Sequence, residues 1–366
     1  MPAFHSPELP NPFQFNNGRP VRSISDWSQR RLEIANAILP LEYGGLPPSP
    51  QVTTCEILHT VTIQTAQEAQ FITCRVQTGP DRPFAFLMTL LVPAGKGPYP
   101  AILTGDACWR YATEAVALEV IRRGYILAQF NRVEIATDAY RPDRTSGLYP
   151  VYPERDYGAL SAWAWGYHRC VDVLSGLDFV DSAHIAIVGH SRGGKTTLLA
   201  GATDPRIALT CANDSGAGGA GCFRFQGPQS ETIKDLTGII DYWFGPHLKE
   251  FVGREADLPF DQHYLKALIA PRPLLTCEAL GDLWANPTGT RKTHLAAREV
   301  YHFLGAEKKL GIWFRDGDHT HGWDDWMAFL DFADGQFGRA PLARQYDIDP
   351  FPDQPLGFNW RAPHPF

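Results

Sequence analysis

The sequence predicts an α/β fold: a mostly parallel central sheet with antiparallel strands at one edge. Three observations predict it. From Pro93 onward, short apolar runs alternate with stretches of helical periodicity, the pattern of βαβ units. Before Pro93, three segments alternate apolar and polar residues with a period of two, as antiparallel edge strands do. Finally, a glycine-rich turn at Gly189–Gly194 joins an apolar run directly to a helical stretch.

The elements follow in order. Residues 1–50 are rich in proline and aromatics and hold one helical stretch, Asp26–Ile38; they read as an arm laid on the main domain. Edge strands are expected at Cys55–Ile63, Phe71–Val76 and Phe84–Val92. Parallel strands are expected at Ala101–Leu103, Tyr125–Phe130, His184–Val188, Leu209–Asn213, Leu274–Glu278 and Leu310–Arg315. Helices are expected at Glu114–Arg123, Leu160–Val180, Arg192–Ala202, Thr290–Leu304 and Asp324–Gly335. Asn131–Arg155 and Ser215–Gly227 lack periodicity, and long loops in a compact domain are usually functional. The Pro-rich tail Gly338–Phe366 is expected to fold back on the surface. No repeat and no linker interrupts the pattern, so residues 1–366 read as one domain.

Composition narrows the function. The chain has 366 residues, 44% of them hydrophobic and 20% charged, with a net charge of −7. It has no basic tract, and phosphate neutralisation needs clustered Lys and Arg, so nucleic acid is not an expected partner. No apolar run approaches about 18 residues, so no spanning helix and no membrane partner are expected. The first residues have neither a basic start nor an apolar stretch. The expected location is therefore cytoplasmic, or secreted if a leader was trimmed. Seven cysteines, an odd number with no C-x-x-C pair, argue against a disulfide framework and a zinc knuckle.

The glycine-rich turn matches two motifs. Gly189, Ser191 and Gly193 fit G-x-S-x-G, the nucleophile elbow of α/β-hydrolases. Gly189, Gly194, Lys195 and Thr196 fit G-x-x-x-x-G-K-[ST], the phosphate-cradling P-loop. Both use a strand–turn–helix, and a glycine-rich turn without chemistry has the same local form. The rest of the chain bears on the choice. A hydrolase elbow needs an acid and then a histidine later in the chain, each just after a strand. His319 lies four residues past the last expected strand. Asp214 and Asp282 each follow a strand between Ser191 and His319. Asp282 is preferred because its strand end is the usual triad position, but Asp214 stays open. A P-loop usually follows the first parallel strand, whereas here at least two come first. As a rival reading of this region, Asp316, Asp318, His319, His321 and Asp324 could ligate a divalent ion. No H-x-x-x-H or H-x-x-E-H spacing supports that, and no metal is expected.

Three stretches resemble the glucuronoyl esterases of carbohydrate esterase family 15. They are Gly189-His190-Ser191-Arg192-Gly193-Gly194-Lys195, Ala200–Ala202 with Asp204–Leu209, and Asp214-Ser215-Gly216-Ala217-Gly218-Gly219. Leu160–Gly166 and Ala267–Pro273 are similar too, and the likeness runs from about Asn11 to about Asp334. The resemblance implies a three-layer α/β-hydrolase sandwich that cleaves esters between glucuronic acid in xylan and lignin alcohols. It implies Ser191 as nucleophile, His319 as general base, Arg192 at the oxyanion, and Lys195 and Trp284 on the sugar. Fungal members pair two cysteines beside the nucleophile and the histidine; here those positions are His190 and Thr320, which fits a reducing compartment. Residues 227–243 depart from the family's sugar-binding pattern.

The expected chemistry is a serine carboxylic ester hydrolase that forms an acyl-enzyme on a small-molecule or oligosaccharide ester, with no metal or organic cofactor. The second oxyanion donor is sought near Asp106, Cys108 and Trp109, after the first parallel strand. A nucleotide-binding P-loop protein, or a silent hydrolase-fold binding protein, are the alternatives.

Overall fold

The computed structural model describes residues 7–64, 68–108, 111–139, 144–238 and 240–363. Nine strands form one sheet in the order β1-β2-β3-β5-β4-β6-β7-β8-β9. Strands β1 (Val52–Gln64), β2 (Glu68–Gly79) and β3 (Phe84–Pro93) form an antiparallel meander, and β3 pairs antiparallel with β5 (Ile126–Phe130). The remaining pairs are all parallel, through β4 (Tyr99–Thr104), β6 (Val180–His190), β7 (Leu209–Asn213), β8 (Leu274–Ala279) and β9 (Leu310–Arg315). The mostly parallel sheet with an antiparallel edge is therefore observed.

Strand periodicity feeds two cores. In β4, Ala101 and Leu103 join one apolar cluster and Ile102 the other, because successive side chains leave opposite faces. The first face packs against α3 (Ala159–Leu174) and α4 (Arg192–Thr203), with Leu160, Trp163, Leu198 and Leu199 in the cluster. The second packs against α2 (Glu114–Arg122) and α8 (Trp323–Gln336), through Val116, Val120, Phe329 and Leu330. The result is three layers.

Several boundaries differ from the expected ones for local reasons. The arm helix α1 runs from Ile24 to Tyr43, longer than Asp26–Ile38. Ser23 caps its start by accepting from Asp26 N, and Gly44 ends it at φ 71°. Helix α3 stops at Leu174 instead of Val180, because Ser175-Gly176 ends it and Val180 already belongs to β6. Two short helices have no counterpart in the expected elements: α5 (Ile233–Gly238) and α6 (His263–Ile269). Helix α7 (Pro287–Phe303) begins earlier than Thr290, capped by Asn286 with Pro287 at its first turn. No helix among the described residues is long and apolar enough to cross a membrane.

Candidate active site

The site gathers at the carboxyl ends of β6, β8 and β9, where open α/β sheets place their ligands. Ser191 sits between β6 and α4 with φ 58° and ψ −124°, a strained turn that lifts its hydroxyl off the sheet. Gly193 makes that turn possible. A Cβ there would run into the Asp106 carboxylate. Asp106 braces the elbow: its Oδ2 accepts from His190 N at 2.8 Å, and its Oδ1 accepts from Arg132.

His319 comes from the loop after β9, and Asp282 from the turn after β8. These two loops are zipped together: Leu280 N donates to Arg315 O at 2.8 Å and Gly281 N to Gly317 O at 3.0 Å. A Cβ at Gly281 would lie 2.5 Å from Gly317 O, so the approach needs glycine. In that frame His319 Nδ1 donates to Asp282 Oδ2 at 2.5 Å, and His319 Nε2 lies 2.9 Å from Ser191 Oγ. An ionised carboxylate can only accept, so the proton is on Nδ1 and Nε2 is the acceptor facing the serine.

Asp214, the other acid, faces elsewhere. Its Oδ1 accepts from Ala279 N at 2.7 Å and its Oδ2 from Arg315 at 3.0 Å. Burial pushes its carboxyl up to about 7, against the pull of the Ala279 N–H and Arg315. Arg315 also binds Asp325 at 2.7 Å, and Asp325 accepts from Asn213 at 3.0 Å. His190 donates from Nδ1 to Asn213 and packs its ring 4.5 Å from that of His319. These residues tie the histidine loop to the ends of β6 and β7.

Asp214, Asp282 and His319 bring one ligand atom each within 4.8 Å. Those atoms are engaged as described. Among the described residues Asp316, Asp318, His321 and Asp324 do not gather into such a group.

Arg192 opens α4. Its guanidinium binds Asp138 through Nη1, 2.9 Å from each carboxylate oxygen, and lies over the Trp243 ring at 4.6 Å. Lys195, one turn on, is buried. Its Nζ donates to Ser215 O, Ala217 O and Glu231 Oε2 at 2.6–2.7 Å, which uses all three protons. A P-loop lysine needs that ammonium for phosphate, and the P-loop threonine needs its hydroxyl for magnesium. Here Thr196 Oγ1 donates to Arg192 O at 2.9 Å. The P-loop reading therefore fails on geometry.

Trp284 is 46% exposed, two residues beyond Asp282. Its carbonyl accepts from Glu231 N at 3.0 Å, so Trp284 is linked through Glu231 to Lys195. Burial pushes the Glu231 carboxyl up while Lys195 pulls it down. Glu231, Asp138 and Trp243 were not among the residues expected from sequence. Glu231 and Trp243 both lie in the 227–243 stretch that departs from the family pattern, and Asp138 lies in the aperiodic 131–155 loop, the one signal that could find it. Of the groups considered for the second oxyanion donor, Asp106 is turned inward as an acceptor and Cys108 Sγ lies 3.6 Å from Asp106 O. Trp109 lies outside the described residues.

Known proteins show the same arrangement of chain. Residues 76–305 match the family described as glucuronyl esterase, fungi. The 4-O-methyl-glucuronoyl methylesterase of Podospora anserina is 34% identical over 86% of this chain and 64% of its own length. The 4-O-methyl-glucuronoyl methylesterase 1 of Wolfiporia cocos is 30% identical over 88% of this chain and 78% of its own. A carbohydrate esterase family 15 glucuronoyl esterase from Caldicellulosiruptor kristjansonii superposes with a TM-score of 0.84 and 29% identity, covering 98% of both chains. Similarity this extensive, on a shared sheet, is family membership: the chain belongs to the glucuronoyl esterases of carbohydrate esterase family 15, which are carboxylic ester hydrolases.

Proposed function

We propose that this protein hydrolyses esters of a 4-O-methyl-glucuronate-like uronic acid through an acyl-enzyme on Ser191. The observation that carries the reading is His319 bridging Ser191 at 2.9 Å and Asp282 at 2.5 Å. The names of the relatives supply the substrate class.

In this mechanism His319 Nε2 takes the Ser191 proton as Oγ attacks the ester carbonyl carbon. The carbonyl oxygen becomes an oxyanion beside the Arg192 backbone N–H at the start of α4, with the Arg192 guanidinium adding positive charge. Asp282 keeps the imidazole in its Nδ1–H form and stabilises the imidazolium. The tetrahedral intermediate collapses, the C–O bond to the alcohol breaks, and His319 returns the proton to the departing oxygen. Water, deprotonated by His319, then attacks the acyl carbon and releases the acid and Ser191. Trp284 supports the sugar ring, and Lys195, whose three protons go to Glu231, Ser215 O and Ala217 O, braces the structure behind it rather than meeting the sugar hydroxyls.

Ser191→Ala is the decisive variant. It is expected to abolish hydrolysis of the benzyl ester of glucuronic acid while leaving the melting temperature within a few degrees of the parent. Turnover retained in that variant would overturn the reading. A panel including methyl galacturonate and acetylated sugars tests the substrate class; faster turnover of acetylated sugars would move it.

The cytoplasmic placement expected from the sequence stays part of this proposal. Its support is that all seven cysteines are free thiols. Alkylation of the denatured protein in fresh cell extract should label seven.

A further inference from the structure

Arg192 is held by an acid that has no part in the proton transfers. Asp138 lies in the loop after β5, just past a 3₁₀ turn at Arg132–Glu134, with its side chain 6% exposed. Its Oδ1 accepts from the Tyr242 hydroxyl at 2.8 Å and the Trp243 indole N–H at 3.2 Å. Both oxygens lie 2.9 Å from Arg192 Nη1, and Arg132 stands 3.8 Å away. A carboxylate offers about four lone-pair sites. Three hydrogen-bond donors converge on them, the Tyr242 hydroxyl, the Trp243 indole N–H and Arg192 Nη1, so Asp138 is built to hold its neighbours still.

What it holds matters for the reaction. Arginine has a long side chain with considerable rotamer freedom, and ordering it during the reaction would cost free energy. Oxyanion donors work by standing in place before charge develops. Asp138 fixes the guanidinium at Nη1. It also fixes Trp243, whose ring supports the guanidinium on one face and lies 5.9 Å from Lys195 Nζ. One carboxylate thus sets both the arginine and the aromatic wall behind it.

We propose that Asp138 is a positioning residue whose effect on the reaction passes through Arg192. This rests on the reading of Arg192 as an oxyanion group. The rival role is a simple peg for the Tyr242-Trp243 loop. A double-mutant cycle separates the two, with kcat and KM for the benzyl ester of glucuronic acid measured for the parent, Asp138→Asn, Arg192→Ala and the double variant, beside their melting temperatures. Asp138→Asn is expected to lower kcat about 10- to 100-fold with KM changed less than about threefold. In the Arg192→Ala background the same substitution is expected to lower kcat less than about threefold. An equal loss in both backgrounds, or a kcat near that of the parent, overturns the proposal. If Asp138→Asn does not fold, Tyr242→Phe removes one donor from the same oxygen and goes round the same cycle under the same criteria. A slow Arg192→Ala with no coupling sinks this proposal alone. Arg192→Ala at the parent rate, or an active Ser191→Ala, sinks the reading beneath it.

Discussion

At the residue scale, the two acids divide their work by what surrounds them. Asp282 meets His319, while Asp214 meets a backbone N–H and Arg315. Asp282→Asn is therefore expected to lower kcat by about 10³-fold or more, since an amide can no longer hold the required tautomer. Asp214→Asn is expected to keep kcat within about tenfold and to lower stability instead, because it leaves Arg315 short of a partner at a buried site. Measuring kcat and melting temperature for both variants checks this; a dead Asp214→Asn beside an active Asp282→Asn would reverse the assignment. Sequence order alone marked both acids. Each follows a strand between Ser191 and His319, and chain order does not encode which carboxylate turns toward the imidazole. Asp214 takes its direction from φ 42° and from Ala279 N, neither of which is visible in the string of residues.

At the element scale, the site depends on turns with no spare room. Gly193→Ala would drive a methyl group into Asp106 and disturb its bond to His190 N. Lower kcat together with lower stability is the expected outcome, read from kinetics and a denaturant titration. Helix α1 docks by a different device. Its Glu42 is fully buried, with both carboxyl oxygens 3.0 Å from Gln262 Nε2. Burial pushes this carboxyl from 4.5 up to about 8, against the hydrogen bond from Gln262. The folded protein therefore keeps a proton there that the unfolded chain releases above pH 4.5. Glu42's contribution to stability is present at low pH and is lost as pH rises through about 8. Glu42→Gln should flatten the fall of melting temperature between pH 5 and 8 relative to the parent. An unchanged slope would show that Glu42 does not hold that proton. Periodicity made the long helices and the three antiparallel edge strands legible, and the six parallel strands showed as short apolar runs between helices. The short helices α5 and α6 carry too few turns to show a period.

At the scale of the whole molecule, the two ends of the described chain are knitted together on the helical side. Leu9 N donates to Gly357 O, and Trp360 Nε1 donates to Leu9 O, both at 2.8 Å. The Trp360 ring stacks on Phe358 at 4.4 Å and meets Phe13 edge-on at 6.1 Å, and Phe13 in turn packs 5.4 Å from Phe303 of α7. Trp360→Ala is expected to cost about 3 kcal/mol of stability and to leave kcat unchanged, because among the described residues its ring contacts and hydrogen bond run to Phe13, His263, Phe358 and Leu9 and not to Ser191, Asp282 or His319. Equilibrium unfolding and kinetics on one preparation test both halves. The arm and tail were expected from composition to lie on the surface; that they pair with each other was not.

The sequence by itself determined the fold class, the elbow at Ser191 and the candidates His319, Asp282 and Asp214. Those features are local: a period of two or 3.6, a turn that only glycine permits, a residue just past a strand. Only the tertiary structure decided which acid meets His319, how Lys195 spends its protons on Glu231 and two carbonyls, and that Asp138 holds Arg192. Those choices depend on loops about 20 to 105 residues apart in sequence meeting at the carboxyl ends of the strands. Burial then forces each polar atom there to find a partner, and the partner is chosen by distance in space rather than by position along the chain.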